Sequence, residues 1–453
     1  MMINVSLLKK RVLDLAFRGQ LTEHHENESS IELLPKLFNN KKKKYISFSP
    51  DFAGFEIPSN WNWCMTYQAV SLDNGDETSG EKLPYLEVKF LRTGKDPKII
   101  NSGVIVDKGE KLILVDGENS GEVFLANERG YKGSTLKILN ISDAFIEKYI
   151  FLFIYSYKEG FRKNKTGAAI PHLDKKRLFE TPLPIPPLEE QKRIVAKLDE
   201  MFAELDKIDE KQTRLAAIQE KMEAKILKLA IQGKLVEQRP EEGTGDELFK
   251  LIQQEKQELI KQGKIKKEKP LPSIEEAEIP FDIPSSWKWV RWGDLSFSIQ
   301  YGYNAPAKES GRLKMVRISD IQDEKVVWET VPYCDIQEHE IPTYLLKEND
   351  ILFARTGGTV GKSYIVRNVK EEAIYAGYLI RTQYSEKLSP MYLKFFMNTS
   401  LYWQQLRDGT ISTAQPNCNG KTLSKMMLPL PPLEEQKRIV AKIEELLPLC
   451  RSN

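Results

Sequence analysis

Two short stretches of this sequence carry residue types and spacings that could perform chemistry. The first, "TGGTVGKS" at 356–363, is similar to a phosphate-binding loop, in which glycine amides and a lysine hold nucleotide phosphates at the start of a helix. Its first position is Thr356 where the loop needs glycine, and the "YIVRNV" that follows has the composition of a strand. We therefore predict a β-hairpin turn whose Arg355 and Lys362 face a polyanion.

The second stretch combines two acids with a lysine. Asp51, Glu87 and Lys89 match the residue types that metal-dependent nucleases use. Such combinations arise by chance in a chain with 29% charged residues, and Asp51 lies in a segment with no secondary-structure pattern. A stand-alone metal-dependent nuclease stays open as an alternative, and it predicts magnesium-dependent cleavage by this chain alone.

Other catalytic chemistry has less support. His172 precedes a proline-rich segment whose second copy follows Asn417, an exchange that argues against acid-base catalysis and suits polar readout. The sequence lacks the Asn-Pro-Pro-aromatic motif and the FxGxG loop of methyltransferases. Its four cysteines lie far apart, so neither a disulfide framework nor a zinc site is predicted. We expect a non-catalytic chain that does not itself transfer methyl groups.

Composition restricts the class of protein. The chain has 453 residues, which predicts two or three domains, and its net charge of +2 is low for a nucleic-acid-binding domain. No apolar run approaches the roughly 18 residues of a membrane span. The N-terminal sequence lacks the apolar core of a signal peptide. We therefore expect a cytoplasmic protein with no membrane segment.

The chain consists of a duplicated unit. "LPIPPLEEQKRIVAKLDE" at 183–200 returns as "LPLPPLEEQKRIVAKIEE" at 428–445, and "FEIPSNWNW" at 55–63 returns as "FDIPSSWKW" at 281–289. Two further pairs are "KLILVDGENSGEV" at 111–123 with "DILFARTGGTVGKS" at 350–363, and "LAFRGQL" at 15–21 with "LAIQGKL" at 229–235. Four pairs in the same order indicate gene duplication, with constant flanks around two divergent bodies.

A long helix follows the first proline junction. Apolar residues recur at alternating spacings of four and three from Ile194 through Leu215 and Met222 to Leu229, and Gly233 provides the stop. This predicts one helix of about 45 residues, near 67 Å at 1.5 Å per residue. Such an apolar seam needs a partner helix to cover it.

The two chain termini supply that partner. The second junction starts a helix with Ile439 and Ile443 on the same seam, whereas Val5 to Leu15 match the end of the central helix. We expect the termini to form a split second helix antiparallel to the central one, with a pseudo-two-fold axis between the halves. Positions 206–214 have no copy at either terminus. A coiled coil used for homodimerisation stays open.

Each body alternates short β-like runs with Gly, Asn and Asp turns and then has an apolar helical segment. The expected fold class is α+β, with two α/β domains joined and separated by a long antiparallel two-helix coiled-coil spacer. The predicted parts are 1–20, the N-terminal part of the second spacer helix; 21–187, the first body with its leading segment; 188–233, the central spacer helix; 234–432, the second body with a helical linker; and 433–453, the C-terminal part of the second spacer helix.

This layout resembles the DNA specificity subunits of type I restriction-modification systems over nearly the whole chain. The resemblance is carried by "IPSNWNW", "IPSSWKW", "GTISTAQPNCNGKTL" at 409–423 and the two proline junctions. It implies that each body is a target recognition domain that reads one half of a bipartite, asymmetric sequence in double-stranded DNA. At 3.4 Å per base pair, a helix pair of this length spans at most about 20 base pairs, which are crossed unread.

The resemblance also implies partners. Two modification subunits, which bind S-adenosylmethionine and methylate adenine, dock on the helices, and restriction subunits that consume ATP with Mg join them. These cofactors are expected in the partner subunits and not in this chain. A coiled-coil scaffold without DNA is a further alternative, and it predicts no salt-dependent DNA affinity even with partners present.

Polar residues beside the predicted turns are the candidates for contact with DNA. Lysines and arginines hold phosphates, while amides, hydroxyls and arginine forks read base edges. In the first body the candidates are Lys89, Arg92, Lys165, Thr166, His172 and Lys175, and in the second they are Tyr301, Tyr303, Arg317, Arg355, Lys362, Gln415 and Asn417.

Overall fold

A computed structural model describes residues 2–33, 35, 54–163, 172–322, 325–369, 371–409 and 417–451. The chain divides into two compact units, Met1–Arg214 and Leu215–Asn453, and each is described by itself. In the described part of the chain, no helix has the length and apolarity that a membrane span requires.

The first unit contains helices and short strands in alternation. Its helices are α1 (Val5–Phe17), α2 (Thr66–Ala69), α3 (Val88–Thr93), α4 (Glu147–Ser156), α5 (Lys158–Lys163) and α6 (Lys175–Phe179). Its strands are β1 (Asn62–Met65), β2 (Val70–Asp73), β3 (Glu77–Leu86), β4 (Ile99–Val106), β5 (Lys111–Leu114), β6 (Val123–Leu125), β7 (Gly130–Lys132), β8 (Leu136–Ile141) and β9 (Pro182–Ile185). The long helix α7 (Leu188–Ile231) contributes residues to both units.

The second unit has a similar succession of elements. Its helices are α8 (Gly245–Lys261), α9 (Trp292–Leu295), α10 (Ile341–Tyr344), α11 (Pro390–Phe396), α12 (Ser400–Gly409), α13 (Gly420–Lys425) and α14 (Leu433–Arg451). Its strands are β10 (Lys288–Arg291), β11 (Ser296–Tyr301), β12 (Leu313–Val316), β13 (Ile321–Gln322), β14 (Lys325–Val326), β15 (Tyr333–Cys334), β16 (Ile351–Ala354), β17 (Ser363–Ile365), β18 (Ala373–Tyr375), β19 (Leu379–Tyr384) and β20 (Met427–Leu430).

The sheets repeat the duplication seen in the sequence. A four-stranded sheet has the order β2-β8-β5-β6 in the first unit, and its counterpart has the order β11-β19-β16-β17 in the second. A two-stranded sheet beside it pairs β1 with β9, and likewise β10 with β20. The units differ elsewhere, with a small barrel of β3, β4 and β7 in the first and the sheet β15-β12-β18 in the second. The predicted α+β class and internal repeat are confirmed.

Each unit contains an antiparallel helix pair. In the first unit α1 lies along the start of α7, where the Gln212 side-chain amide donates to the Ile3 carbonyl at 3.1 Å and Lys9 pairs with Asp206. In the second unit α14 lies along the end of α7, and Arg451 donates two hydrogen bonds to Glu223. The predicted antiparallel partner of the central helix is therefore confirmed in both units. The boundaries at 21–187 and 234–432 remain predictions.

The predicted seam is wrong in the middle of α7. Ile194 is fully buried, but Leu215 is 41% exposed and Met222 is 49% exposed. In the second unit, the described part of α14 contacts α7 at Glu223, and Leu215 lies about two helical turns before that contact. A repeating apolar pattern shows that a helix has an apolar face. Burial of that face also requires a neighbouring element at the same position along the helix.

The seam also changes phase near the end of α7. The buried side chains there are Leu227, Ala230 and Ile231, where the spacing of four and three predicted Leu229. Leu227 and Ala230 pack with Ile439 and other side chains of the second unit. The end of α7 therefore contacts the domain of the second unit as well as its partner helix. A heptad pattern accounts only for the contact with the partner helix.

A glycine ends the helix that leads into each body. Gly19 has a φ of +71° after α1, and Gly233 has a φ of +67° after α7. At both glycines a Cβ would lie 2.3 Å from a proline Cγ, of Pro58 in the first unit and of Pro284 in the second. Only glycine combines this left-handed backbone with so close an approach. The repeated glycine and the proline of the repeated "IPS" therefore contact each other in both units.

Candidate nucleic-acid interface

A buried tryptophan-glutamate pair fixes each proline junction to the segment that leads into its body. The Trp61 indole nitrogen donates to Glu190 Oε2 at 2.9 Å, and the Trp287 indole nitrogen donates to Glu435 Oε2 at 2.9 Å. Both carboxylates are buried in the first turn of the helix that follows the junction. The acids that the helix dipole favours at this place also bind the tryptophan.

The second oxygen of each carboxylate has a different partner in the two units. His24 Nδ1 lies 2.6 Å from Glu190 Oε1, whereas the Gln238 side-chain amide donates to Glu435 Oε1 at 2.5 Å. Burial raises the pKa of the Glu435 carboxyl, and the hydrogen bonds from Trp287 and Gln238 lower it by less. The bond from tryptophan to glutamate is therefore the same in both units, whereas the second partner of the carboxylate differs.

The glutamine after this glutamate ties the junction to the body. The Gln191 amide accepts from the Ile146 backbone at 2.9 Å and donates to the Pro186 carbonyl at 3.0 Å. Gln436 repeats both bonds at 3.0 and 2.9 Å, with the Ser389 backbone and the Pro431 carbonyl. A buried amide with both ends bonded holds the start of the long helix at a set angle to the domain.

The arginine of each junction binds an acid near the start of the leading segment. Arg193 forms two hydrogen bonds of 2.8 Å to Glu28, and Arg438 forms bonds of 2.8 and 2.7 Å to Glu242. The hydrogen bond from Arg193 lowers the pKa of Glu28. The near-identical "EEQKR" segments thus have matching contacts, which explains why the flanks of the repeat diverged so little.

The polar candidates collect at a β-hairpin turn in each body. We name residues 115–122, between β5 and β6, the first turn, and residues 355–362, between β16 and β17, the second turn. A residue from the loop before the junction bridges each one, His172 with Asp116 in the first and Asn417 with Thr356 in the second. The predicted hairpin and the predicted equivalence of His172 and Asn417 are confirmed.

The second turn brings four predicted residues together. The Arg355 guanidinium lies 4.6 Å from the centre of the Tyr301 ring, and the Tyr301 hydroxyl accepts from the Gly420 backbone at 3.0 Å. Lys362 and Asn417 are exposed beside them. The surface therefore offers a guanidinium, a phenol, an ammonium and an amide, which are groups that bind phosphates and base edges.

Two other candidates in the second body are engaged within the fold. The Tyr303 hydroxyl donates to Glu340 at 3.1 Å. Arg317 forks onto the buried carboxylate of Asp320 at 3.0 and 2.8 Å. Their polar groups already have partners, so contact with DNA by either one would have to replace or share these bonds. Gln415 lies outside the described residues.

The first turn presents a different set of groups. His172 Nδ1 lies 2.6 Å from Asp116 Oδ1, and Arg92 pairs with Glu122 of the same turn. Lys89 is exposed one helical turn before Arg92, and Lys175 is exposed at the start of α6. Lys165 and Thr166 lie outside the described residues. Contact with DNA by any of these candidates stays a prediction.

Sequence reasoning missed Asp116 and the carboxylate partners of the candidate arginines. Asp116 stands at the repeat position of Thr356, so the aligned copies already marked it as a polar position that varies between the bodies. Glu122 follows Arg92 by 30 residues, and no local pattern announces a pair at that separation. The repeat is therefore the signal in the sequence that could have located Asp116.

The alternative of a metal-dependent nuclease finds little geometry to support it. Asp51 lies outside the described residues. Glu87 directly precedes α3, which carries Lys89 on its exposed side. Within the described ranges there is no group of three or more His, Cys, Asp or Glu placed to hold a metal ion. The four cysteines are buried and form no disulfide.

Comparisons with known proteins place these features in a family. The family model for the type I restriction modification DNA specificity domain matches residues 69–219 and 284–449. The EcoAI specificity subunit of Escherichia coli is 26% identical, with 98% of this chain and 89% of that protein covered. The MjaVIII specificity subunit of Methanocaldococcus jannaschii is 26% identical, with 87% of each chain covered.

A solved structure has a similar fold. It is a chain from a study of complex assembly and conformational transition of the type I R-M system, with a TM-score of 0.57 and 18% identity. The alignment covers 88% of this chain and 92% of that one. At this identity the likeness establishes the fold.

Proposed function

Because the chain belongs to the type I restriction-modification DNA specificity family, we propose that it is the sequence-recognition subunit of a type I restriction-modification complex. One observation carries this proposal: the two units place a hairpin turn at the same point of the same fold and equip it with different polar groups. Reading two unlike half-sites requires a repeated fold that carries different contact groups in each copy.

The two turns suit different base edges. Asp116 with His172 offers a carboxylate acceptor, which suits the exocyclic amines of cytosine and adenine. Arg355 of the second turn offers an arginine fork, which suits guanine, and Asn417, which bridges to that turn, offers an amide, which suits adenine. Exposed lysines such as Lys89 and Lys362 are expected to hold phosphates. Each unit would thus read one half of a bipartite, asymmetric site.

The helices are the proposed docking surface for two modification subunits. The two junctions have matching internal contacts, so they present equivalent surfaces to two copies of one partner. In the second unit, Leu215, Ile218 and Met222 are between 41% and 49% exposed on α7. Apolar side chains exposed in succession on one helix are typical of a helix-binding surface.

We assign the chemistry to the partner subunits. The sequence carries no methyltransferase motif, so methyl transfer from S-adenosylmethionine belongs to the modification subunits, and ATP- and Mg-dependent restriction belongs to the restriction subunits. This chain then contributes the binding to DNA and fixes the position of the complex on the recognised sequence. Its non-catalytic role is a proposal that the cleavage assay below tests.

Selection of DNA by the assembled complex tests the proposal. The full chain, co-purified with its modification subunit, should enrich from random duplexes two short constant blocks separated by unread positions. Its affinity should fall steeply with salt, because lysines and arginines displace counterions. Enrichment of one continuous palindrome, or of no motif by a complex shown to be assembled, would overturn the proposal. Cleavage by the purified chain with magnesium would favour the nuclease instead.

A further inference from the structure

Arg355 stands out among the arginines of the second unit. The sequence of that unit has ten arginines, and eight of them pair with a carboxylate, as Arg317 does with Asp320. Within the described residues the other two, Arg355 and Arg407, have no such partner. Arg407 is exposed on α12, whereas Arg355 is half-buried. Arg355 therefore retains an unneutralised charge in a position that the fold constrains.

Contacts with three other parts of the unit restrict the position of Arg355. The guanidinium lies 4.6 Å from the Tyr301 ring centre, and the Tyr301 hydroxyl is itself held by the Gly420 amide at 3.0 Å. The backbone of Arg355 donates to the Tyr378 carbonyl at 3.1 Å and accepts from the Cys418 amide at 2.9 Å. The contact with a ring that is itself held restricts where the guanidinium lies before any ligand arrives.

The Nε atom of Arg355 adds an independent observation. It is buried and has no hydrogen-bond partner within the described residues. Burial of an N–H without a partner is costly, and the Nε atoms of Arg193 and Arg381 share this state. Because Nε itself is covered, a bound ligand would meet the terminal nitrogens of the guanidinium.

We propose that Arg355, held against Tyr301, reads a guanine in the half-site of the second unit. A planar guanidinium donates two parallel hydrogen bonds to guanine O6 and N7, and no other base offers two acceptors at those positions in the major groove. A phosphate can be held by a point charge such as an ammonium, and the exposed Lys362 of the same turn is suited to that contact. This inference rests on the proposed function.

The first unit has no counterpart of this side chain. The position equivalent to Arg355 is Val115, which is 6% exposed, and the neighbouring polar group is Asp116 paired with His172. An apolar buried side chain cannot read a base edge. Guanine reading of this kind therefore belongs to the second half-site alone, and it makes the recognised sequence asymmetric.

Arg355→Lys tests the proposal, because lysine keeps the charge and loses the fork. With the wild-type complex, one position of the second half-site should be guanine. At that position Arg355→Lys should reduce discrimination against the other bases by on the order of 10- to 100-fold, and the first half-site should keep its full selectivity. That retained selectivity also shows that the variant complex has folded and assembled.

Two further arms separate the remaining explanations. Replacing the guanine by 7-deazaguanine, which lacks N7, should weaken wild-type binding and leave Arg355→Lys nearly unaffected. Lys362→Ala should weaken binding to all sequences alike, as a phosphate contact does. Uniform weakening by Arg355→Lys, or a second half-site without guanine, would overturn the guanine assignment while the bipartite motif stands. Loss of any bipartite motif in the wild type would overturn the proposed function itself.

Discussion

Trp287 and Glu435 are 148 residues apart in the sequence, yet the indole nitrogen lies 2.9 Å from the carboxylate in a buried contact. Trp61 and Glu190 repeat the contact in the first unit at the same distance. Each bond joins the segment that leads into a body to the helix that leaves it. The constant parts of the repeated sequence are therefore constant because they bind one another.

Trp287→Phe should lower the free energy of unfolding by about 2 kcal/mol, because a buried carboxylate loses a hydrogen-bond donor. Urea unfolding of the full chain measures this loss. Trp289→Phe is the matched control, since the Trp289 indole nitrogen is buried with no hydrogen-bond partner in the described part of the chain. Equal losses in the two variants would show that ring volume matters and the bond does not.

Glu435→Gln should change how stability depends on pH. Burial raises the pKa of Glu435 above its ordinary value of 4.5, so the folded state holds this proton more tightly than the unfolded state. The resulting stabilisation is complete below pH 4.5 and is lost as the pH rises through the raised pKa. Between pH 4 and 8, Glu435→Gln should therefore lose less stability than the wild type.

Unfolding curves at several pH values check this sign. Glu434→Gln serves as control, because Glu434 is exposed and, among the described residues, pairs with Lys437 one turn away. The same pH slope in the wild type and in Glu435→Gln, or the same change in both variants, would refute the role of the buried carboxyl.

Replacing Pro186 and Pro187 together by glycine should broaden the spacing between the half-sites. These prolines link β9 to α7, and the Pro186 carbonyl accepts from Gln191. Glycine adds backbone freedom on the order of 1 kcal/mol per residue, so the angle between strand and helix becomes less fixed. The methylation pattern should then include sites with spacers longer or shorter by one base pair. An unchanged spacer would contradict this role.

Met222→Glu should prevent binding of a modification subunit without unfolding the chain. Met222 is 49% exposed, so a charge there costs little in the chain alone but is buried unpaired in a complex. Co-purification with the modification subunit should fall at least tenfold, while the thermal midpoint stays within a few degrees. Gln257→Glu on α8, also exposed, is the control. Normal assembly of Met222→Glu would place the docking surface elsewhere.

Much of the fold was predictable because the repeat and the helical period are local signals. The pattern around Ile194 predicted burial correctly, and "YIVRNV" predicted a strand after the second turn. The apolar pattern could not show that Met222 is 49% exposed, since burial of a helix face depends on where the neighbouring helix ends. The candidate site was harder to predict, because the sequence shows Asp320 three residues after Arg317 but does not show whether a distant carboxylate lies near Arg355.

A methylation map tests the central claim most directly. The full chain is expressed with its modification subunit in cells that lack other adenine methylation, and the modified bases are mapped across the genome. We predict one bipartite, asymmetric motif with unread positions between its halves, spanning no more than about 20 base pairs. A continuous palindromic motif, or no methylation by a complex that is demonstrably assembled, would contradict it.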